Sequence, residues 1–227
     1  MSGALTLDSL DLSALLCSKV CHDLISPSGA IVNGLEVFED ARDEETKTFA
    51  LDLIKKSATR VSARLQFCRL AFGAAGSAGA QIDLGDAEKV ARGVLTEDKI
   101  ELAWRLPRVL LPKTRVKLLL NLLLLAGQII PRGGTLDVDP IGEGETMGFR
   151  ITAVGRGLNA RIPQPVPALV AGTPEDGALD GHAIQPYFTG LLARTCGLEV
   201  SFAPDGEAIV LTASPREAPE TATAAAG

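Results

Sequence analysis

Aromatic side chains are scarce in this chain of 227 residues: they make up 4%, with one Trp and one Tyr. Leu, Val, Ile and Ala must therefore fill the core, and a hydrophobic content of 46% is enough to build an ordinary one. Positive charge is not in excess. The formal net charge of −6 argues against a nucleic-acid partner held by phosphate neutralisation. No apolar run is long enough to span a bilayer; the most apolar segment, Leu118–Ile130, is short and interrupted by Asn121 and Gln128. Met1–Ser9 lacks the basic start and apolar run of a secretory leader, so a cytoplasmic location is expected. Cysteine is limited to positions 17, 21, 68 and 196, without the short Cys-x-x-Cys spacing of a zinc site. A site built from Cys17, Cys21, Cys68 and His22 is therefore less expected than buried free thiols. Histidine occurs twice, at 22 and 182.

The first of these histidines lies in the most informative stretch, Cys17–Ala30. Ala14, Cys17, Cys21, Leu24, Ser28, Ile31, Leu35 and Phe38 recur at steps of three and four, as one face of a long helix does. His22 falls one residue past that seam, anchored by the helix yet able to reach solvent. Asp23 follows it at once. Pro27 would normally end a helix, because it lacks an N–H and crowds the carbonyl of Asp23. The apolar face continues on both sides, so one kinked helix is expected. His182 has no adjacent carboxylate and no comparable stripe, and reads as structural.

Along the chain, Asp8 or Ser9 is the expected N-cap of the first helix, which runs to about Asp40. Asp43-Glu44-Glu45 reads as the turn and acidic start of a second helix. There Leu51, Ile54, Ala58, Val61, Leu65, Cys68 and Phe72 alternate by three and four, before glycines at 73, 76 and 79 stop the run. Each helix is roughly 30 residues, or about 45 Å. Two such helices form a hairpin whose apolar stripes call for a partner. Either a second hairpin completes a dimeric four-helix bundle, or residues 80–215 cover the stripes in cis. The expected domains are a hairpin over 1–75, a linker at 76–80, an α/β domain over 81–215 and a disordered tail at 216–227. Within the second domain the pattern predicts helices at 85–95, 112–130 and 182–196, with Pro112 at about the first helical position. Strands are expected at 100–105, 135–141, 146–154, 198–203 and 207–214, and a proline-rich loop at 162–180.

His22-Asp23-Leu24-Ile25-Ser26-Pro27 resembles the phosphoacceptor box of two-component histidine kinases, with Ile25 in place of the usual Arg. The longer run from Val20, with Gly29-Ala30-Ile31 and Asn33-Gly34-Leu35-Glu36, resembles more narrowly the ChpT-type histidine phosphotransferases of alphaproteobacteria. This resemblance implies an α+β fold: a long helical hairpin forming a dimeric four-helix bundle, then an α/β sandwich like a histidine-kinase ATPase domain. It also implies that the nucleotide residues have been lost. Lys117-Leu118-Leu119-Leu120-Asn121 lines up with the family's N-box, but the second, magnesium-coordinating Asn falls on Leu125, which has no oxygen to offer. Ala153-Val154-Gly155-Arg156-Gly157 lines up with the box that reads adenine, and Ala153 replaces its Asp. No cofactor is expected, and ATP binding is not.

By the same resemblance, His22 takes its phosphoryl group from the aspartyl phosphate of a receiver domain, which brings the magnesium. Asp23 orients the imidazole. The neighbours of His22 on the helix, Ser18, Lys19, Ile25, Ser26 and Gly29, would form the receiver-docking surface. The implied partners are a second copy of the chain, the receiver of a CckA-like hybrid kinase, and response regulators like CtrA and CpdR, with no nucleic acid and no membrane. Two other classes remain: an ATP-dependent histidine kinase, and a dimeric adaptor that binds regulators without chemistry.

Overall fold

Asp8 and Asp43 start the two long helices. In the computed structural model, Asp8 accepts from the backbone N–H groups of Leu10 and Asp11 and caps α1, Ser9–Asp40. Asp43 accepts from Thr46 N–H and caps α2, Glu44–Ala71. Each carboxylate satisfies donors that have no partner inside the helix. α1 runs through Pro27 as one continuous helix of 32 residues. The structure describes residues 5–73, 79–96, 99–157, 160–174 and 179–215. Residues 76–78 of the expected linker and the whole expected tail, 216–227, lie outside them.

The hairpin closes over small residues. Gly34 is buried against α2, where an added Cβ would sit 2.8 Å from Ile54 Cγ1, and Ala50 and Ser57 are buried opposite. The expected seam of α1 is only partly covered: Leu24, Ile31 and Phe38 are half-buried, whereas Ala14, Cys17, Cys21, Ser28 and Leu35 are exposed. The buried-thiol expectation thus fails at Cys17 and Cys21, because α2 and the second domain pack beside that row of positions and not upon it.

The second part of the chain is an α/β sandwich. Its elements are β1 (Gln81–Asp83), α3 (Leu84–Leu95), β2 (Ile100–Trp104), β3 (Leu110–Pro112), α4 (Lys113–Ile129), β4 (Gly134–Ile141), β5 (Gly148–Gly155), α5 (Pro165–Ala171), α6 (Ile184–Thr195), β6 (Leu198–Asp205) and β7 (Ala208–Pro215). The main sheet has the order β2-β4-β5-β7-β6, with β2 and β4 parallel and the other neighbours antiparallel. Strand alternation sets its faces. Phe149, Ile151 and Ala153 pair in register with Ala213, Leu211 and Ile209, and all six point into the core. α4 is apolar nearly all round, which suits a helix enclosed on every side. Leu118, Leu119, Leu120, Leu122, Leu123 and Leu125 are fully buried.

Four elements differ from expectation. β1 and β3 pair with each other over three residues each, too short to leave an alternating pattern. Pro112 is the N-cap of α4, one position before the expected place. The proline-rich loop holds a helix, α5, with Pro165 in its first turn and Gly172 in the left-handed conformation (φ 82°) after its end. First-turn N–H groups have no helical partner to lose, so proline is tolerated there.

Both ends of the hairpin are fastened to the sandwich. Phe67, Leu70 and Ala71 of α2 share a single core with α3, α4 and the sheet. Ahead of α1, Leu5 N–H donates to the Gly172 carbonyl at 2.8 Å, and the Tyr187 hydroxyl donates to the Leu5 carbonyl at 2.9 Å. The sandwich therefore covers part of the hairpin in cis. It leaves Ile25, Val32, Leu35, Val37, Phe49, Leu51 and Leu65 exposed. α5 and α6 meet at Gly190, where an added Cβ would fall 1.9 Å from the Val170 carbonyl oxygen. Gly190→Ala is expected to lower the unfolding free energy by about 1–3 kcal/mol. Urea unfolding checks this; an unchanged midpoint means that the two helices pack more loosely than described.

Candidate functional site

His22 sits midway along α1 with 68% of its side chain exposed. Its Nδ1 lies 3.5 Å from Oδ1 of Asp23, the distance of a loose charge contact and not of a short hydrogen bond. The other carboxylate oxygen of Asp23 is taken by the ammonium of Lys19, one turn back on the same helix. Both partners of that ion pair are about four-fifths buried, with 18% and 21% of their side chains exposed. Lys19 thus anchors Asp23, and Asp23 turns its free oxygen toward the imidazole. With Nδ1 on the carboxylate side, Nε2 is the nitrogen left to meet an incoming group.

Ser18, Ile25, Ser26 and Gly29 are exposed on the same side of α1 as His22, with Ile25 at 69% exposure. An added Cβ on Gly29 would meet nothing within 4 Å, so the helix backbone is open to close approach there. Lys19 does not share that face. It points with Asp23 into a cavity of about 330 Å³ between the hairpin and the sandwich, lined also by Arg64, Gln128 and Gln185. The spacing rule places Lys19 near His22 correctly, but burial against the second domain decides which way it points.

His182, read from sequence as structural, is an exposed residue whose ring stands 5.3 Å from that of His22, edge to face at 77°. It belongs to the turn that leads into α6. Asp180 fixes this turn by accepting from the N–H groups of His182 and Ala183 at 2.8 and 2.7 Å. These hydrogen bonds hold the Asp180 carboxyl below the usual carboxylate range. The preceding Gly181 lies against Ser18, where an added Cβ would be 3.7 Å from Oγ. No local signal in the sequence links positions 22 and 182; the proximity exists only in the fold.

The residues that line up with nucleotide boxes are occupied by packing. Leu125 and Ala153 are core side chains, with 1% and 0% exposure. Asn121 is fully buried, and its side-chain nitrogen donates to the carbonyls of Ala71, at 3.1 Å, and Lys117, at 2.9 Å. Gln185 donates to both oxygens of Asn121, and Lys117 reaches the Phe72 carbonyl at 3.5 Å. Burial, then the like charge of Lys113, lowers the Lys117 pKa. These groups do not fit ATP: the amide is spent on the end of α2, and apolar side chains stand at the other two positions. Among the described residues, no group of three or more His, Cys, Asp or Glu side chains is placed to hold a metal ion. None of their helices is long and apolar enough to cross a membrane.

A helical hairpin with an exposed His-Asp pair is fastened to an α/β sandwich, and in this arrangement the chain is similar to phosphotransferases. The family described as "Histidine phosphotransferase C-terminal domain" matches residues 84–208, more than half of the chain. A curated relative, the protein phosphotransferase ChpT of Brucella abortus (strain 2308), is 50% identical over 94% of this chain and 100% of its own length. A solved structure of a bacterial phosphotransferase superposes with a TM-score of 0.85 at 48% identity, covering 94% of this chain and all of that one. The chain belongs to the ChpT family of histidine phosphotransferases.

The cysteines around the site differ in their environments. Burial, reinforced by the negative charge of Asp23, pushes the Cys68 thiol up to about 11, against smaller lowering effects from Lys19 and Arg64. The thiolate is the reactive form, so a raised pKa leaves little of it at pH 8. A maleimide at pH 8 is expected to modify the exposed Cys17 and Cys21 first, and Cys68 only after unfolding. Peptide mapping checks this order; early labelling of Cys68 contradicts its burial behind Asp23.

Proposed function

We propose that this chain is a phosphorelay intermediate that accepts a phosphoryl group on His22 from the aspartyl phosphate of a receiver domain and returns it to the aspartate of another. The observation that carries this reading is the exposed imidazole whose Nδ1 faces a carboxylate, itself anchored by Lys19. A neutral imidazole is nucleophilic through its unprotonated nitrogen. As the bond between Nε2 and phosphorus forms, the bond from phosphorus to the receiver's carboxylate oxygen breaks, and that carboxylate leaves with the electron pair. The ring gains positive charge, which Asp23 Oδ1 stabilises at Nδ1–H. Onward transfer runs the same step in reverse. Such transfer depends chiefly on positioning and charge neutralisation, so the receiver supplies the magnesium and this chain supplies an oriented ring.

The face formed by Ser18, Ile25, Ser26 and Gly29 around His22 is the proposed receiver-docking surface, with Lys19 acting through Asp23. Ile25, exposed on an otherwise polar face, is its apolar anchor. The uncovered apolar residues farther along the hairpin support a homodimer built as a four-helix bundle, with one His22 site on each flank. The donor is proposed to be the receiver of a CckA-like hybrid kinase, and the acceptors to be regulators like CtrA and CpdR, all in the cytoplasm. ATP takes no part, since the would-be ligands Asn121, Leu125 and Ala153 serve the fold.

The test is transfer of labelled phosphate from a purified, phosphorylated receiver, run beside ATP and magnesium alone. Label is expected on the wild type from the receiver, none from ATP, and none on His22→Ala from either source. Label taken from ATP alone overturns the reading in favour of a kinase. Receiver binding without any label overturns it in favour of an adaptor. Ile25→Glu is expected to weaken receiver binding about tenfold, as losing one apolar anchor does, while leaving the helix content unchanged. Titration calorimetry checks this, and unchanged affinity removes Ile25 from the docking surface.

A further inference from the structure

The ring of His22 has two restraints, not one. An imidazole on an open helix face turns readily about its last torsion, because that sp³–sp² rotation is broad. A half-turn would carry Nδ1 away from Asp23 and put carbon in its place. The 3.5 Å contact with Asp23 is a weak brake on that motion. The second restraint is His182, whose ring meets that of His22 at 5.3 Å and 77°. Edge-to-face contacts of this geometry are favoured because the positive edge of one ring meets the negative face of the other.

His182 is itself well held. Asp180 accepts two backbone N–H groups across its turn, and its carbonyl accepts from Ile184 N–H at 3.0 Å. One helical turn into α6, Tyr187 is buried and bonded to Leu5 ahead of α1. Gln185, next to the turn, is bonded to Asn121, which holds the end of α2. The element that presents His182 is thus tied to the hairpin at both ends, and His182 has a defined place relative to His22.

We propose that His182 is a positioning residue for phosphoryl transfer: its ring packs on His22 and keeps Nδ1 on Asp23 and Nε2 toward the phosphoryl group. This rests on the phosphotransferase reading above and adds that the sandwich contributes directly to the site. Packing, and not proton exchange, is the operative property. A phenyl ring at 182 therefore substitutes for the imidazole, and an alanine does not.

Two readouts on the full chain test the proposal. The first is ¹⁵N NMR of the His22 imidazole without receiver, comparing wild type, His182→Ala and His182→Phe. The Nδ1–H form is expected to lose population in His182→Ala and to regain it in His182→Phe. The second is phosphoryl transfer from a phosphorylated receiver over a range of receiver concentrations. His182→Ala is expected to lower the maximal rate roughly ten- to a hundredfold, the scale of a displaced reacting group. Its half-saturating concentration is expected to stay within about twofold, and His182→Phe to recover most of the rate. An unchanged maximal rate overturns the proposal. So does a loss confined to half-saturation, which would make the turn a docking contact only, and so do unchanged His22 signals or a failure of phenylalanine to rescue. If even the wild type takes no label, the phosphotransferase reading falls, and the NMR comparison still decides whether His182 orients His22.

Discussion

The buried carboxamide of Asn121 donates to the carbonyl of Ala71, the last residue of α2, and accepts from Gln185 at the start of α6. Three elements that the chain separates widely meet at this one side chain. The carbonyls at the end of a helix lack intrahelical partners, and here one is satisfied inside the core of another part of the molecule. Gln185 extends the network to Thr189 and Gln128, so the side-chain amide of Asn121 sits in a chain of paired groups. A buried network of this kind rigidifies when it is complete and is costly when any member is lost, at about 1–3 kcal/mol for each group left unpaired. The hairpin is therefore held in one pose on the sandwich. That pose brings Lys19 and Asp23 over a cavity at the junction and His182 beside His22.

The same network shows what Asn121 does in this chain: its side chain is spent on a joint. Leu125 and Ala153 lie in the core, where they serve cohesion between helix and sheet. The chemistry that the proposed role asks of the chain is small: to hold one imidazole, oriented by a carboxylate that is oriented in turn by a lysine, where another protein's active site can reach it, with the metal left to that partner.

Much of this was legible in the sequence because it is local. The caps at Asp8 and Asp43, the three-four spacing of both long helices, and the order of helices and strands in the sandwich all follow from short-range patterns. The His22-Asp23-x-x-Ser26-Pro27 spacing likewise singles out His22 as the proposed acceptor. Proline content hid α5, because composition alone does not separate first-turn prolines from loop prolines. β1 and β3, of three residues each, were too short to show alternation. The rest depended on the tertiary fold. Cys17 and Cys21 belong to an apolar periodicity that the chain's own packing leaves exposed. Lys19 turns inward because the sandwich lies beside it. His182 carries no local signal of its proximity to His22, since the two are brought together by tertiary contacts such as the joint at Asn121 and the strap at Tyr187.

In the proposed transfer, Asp23 holds Nδ1 of His22 and leaves Nε2 as the nucleophile. Combined ³¹P and ¹⁵N NMR of the chain after reaction with a phosphorylated receiver reads the modified atom directly. A single phosphoramidate on Nε2 of His22 is the predicted result. A phosphoryl group on Nδ1 of His22, or on His182, would contradict it.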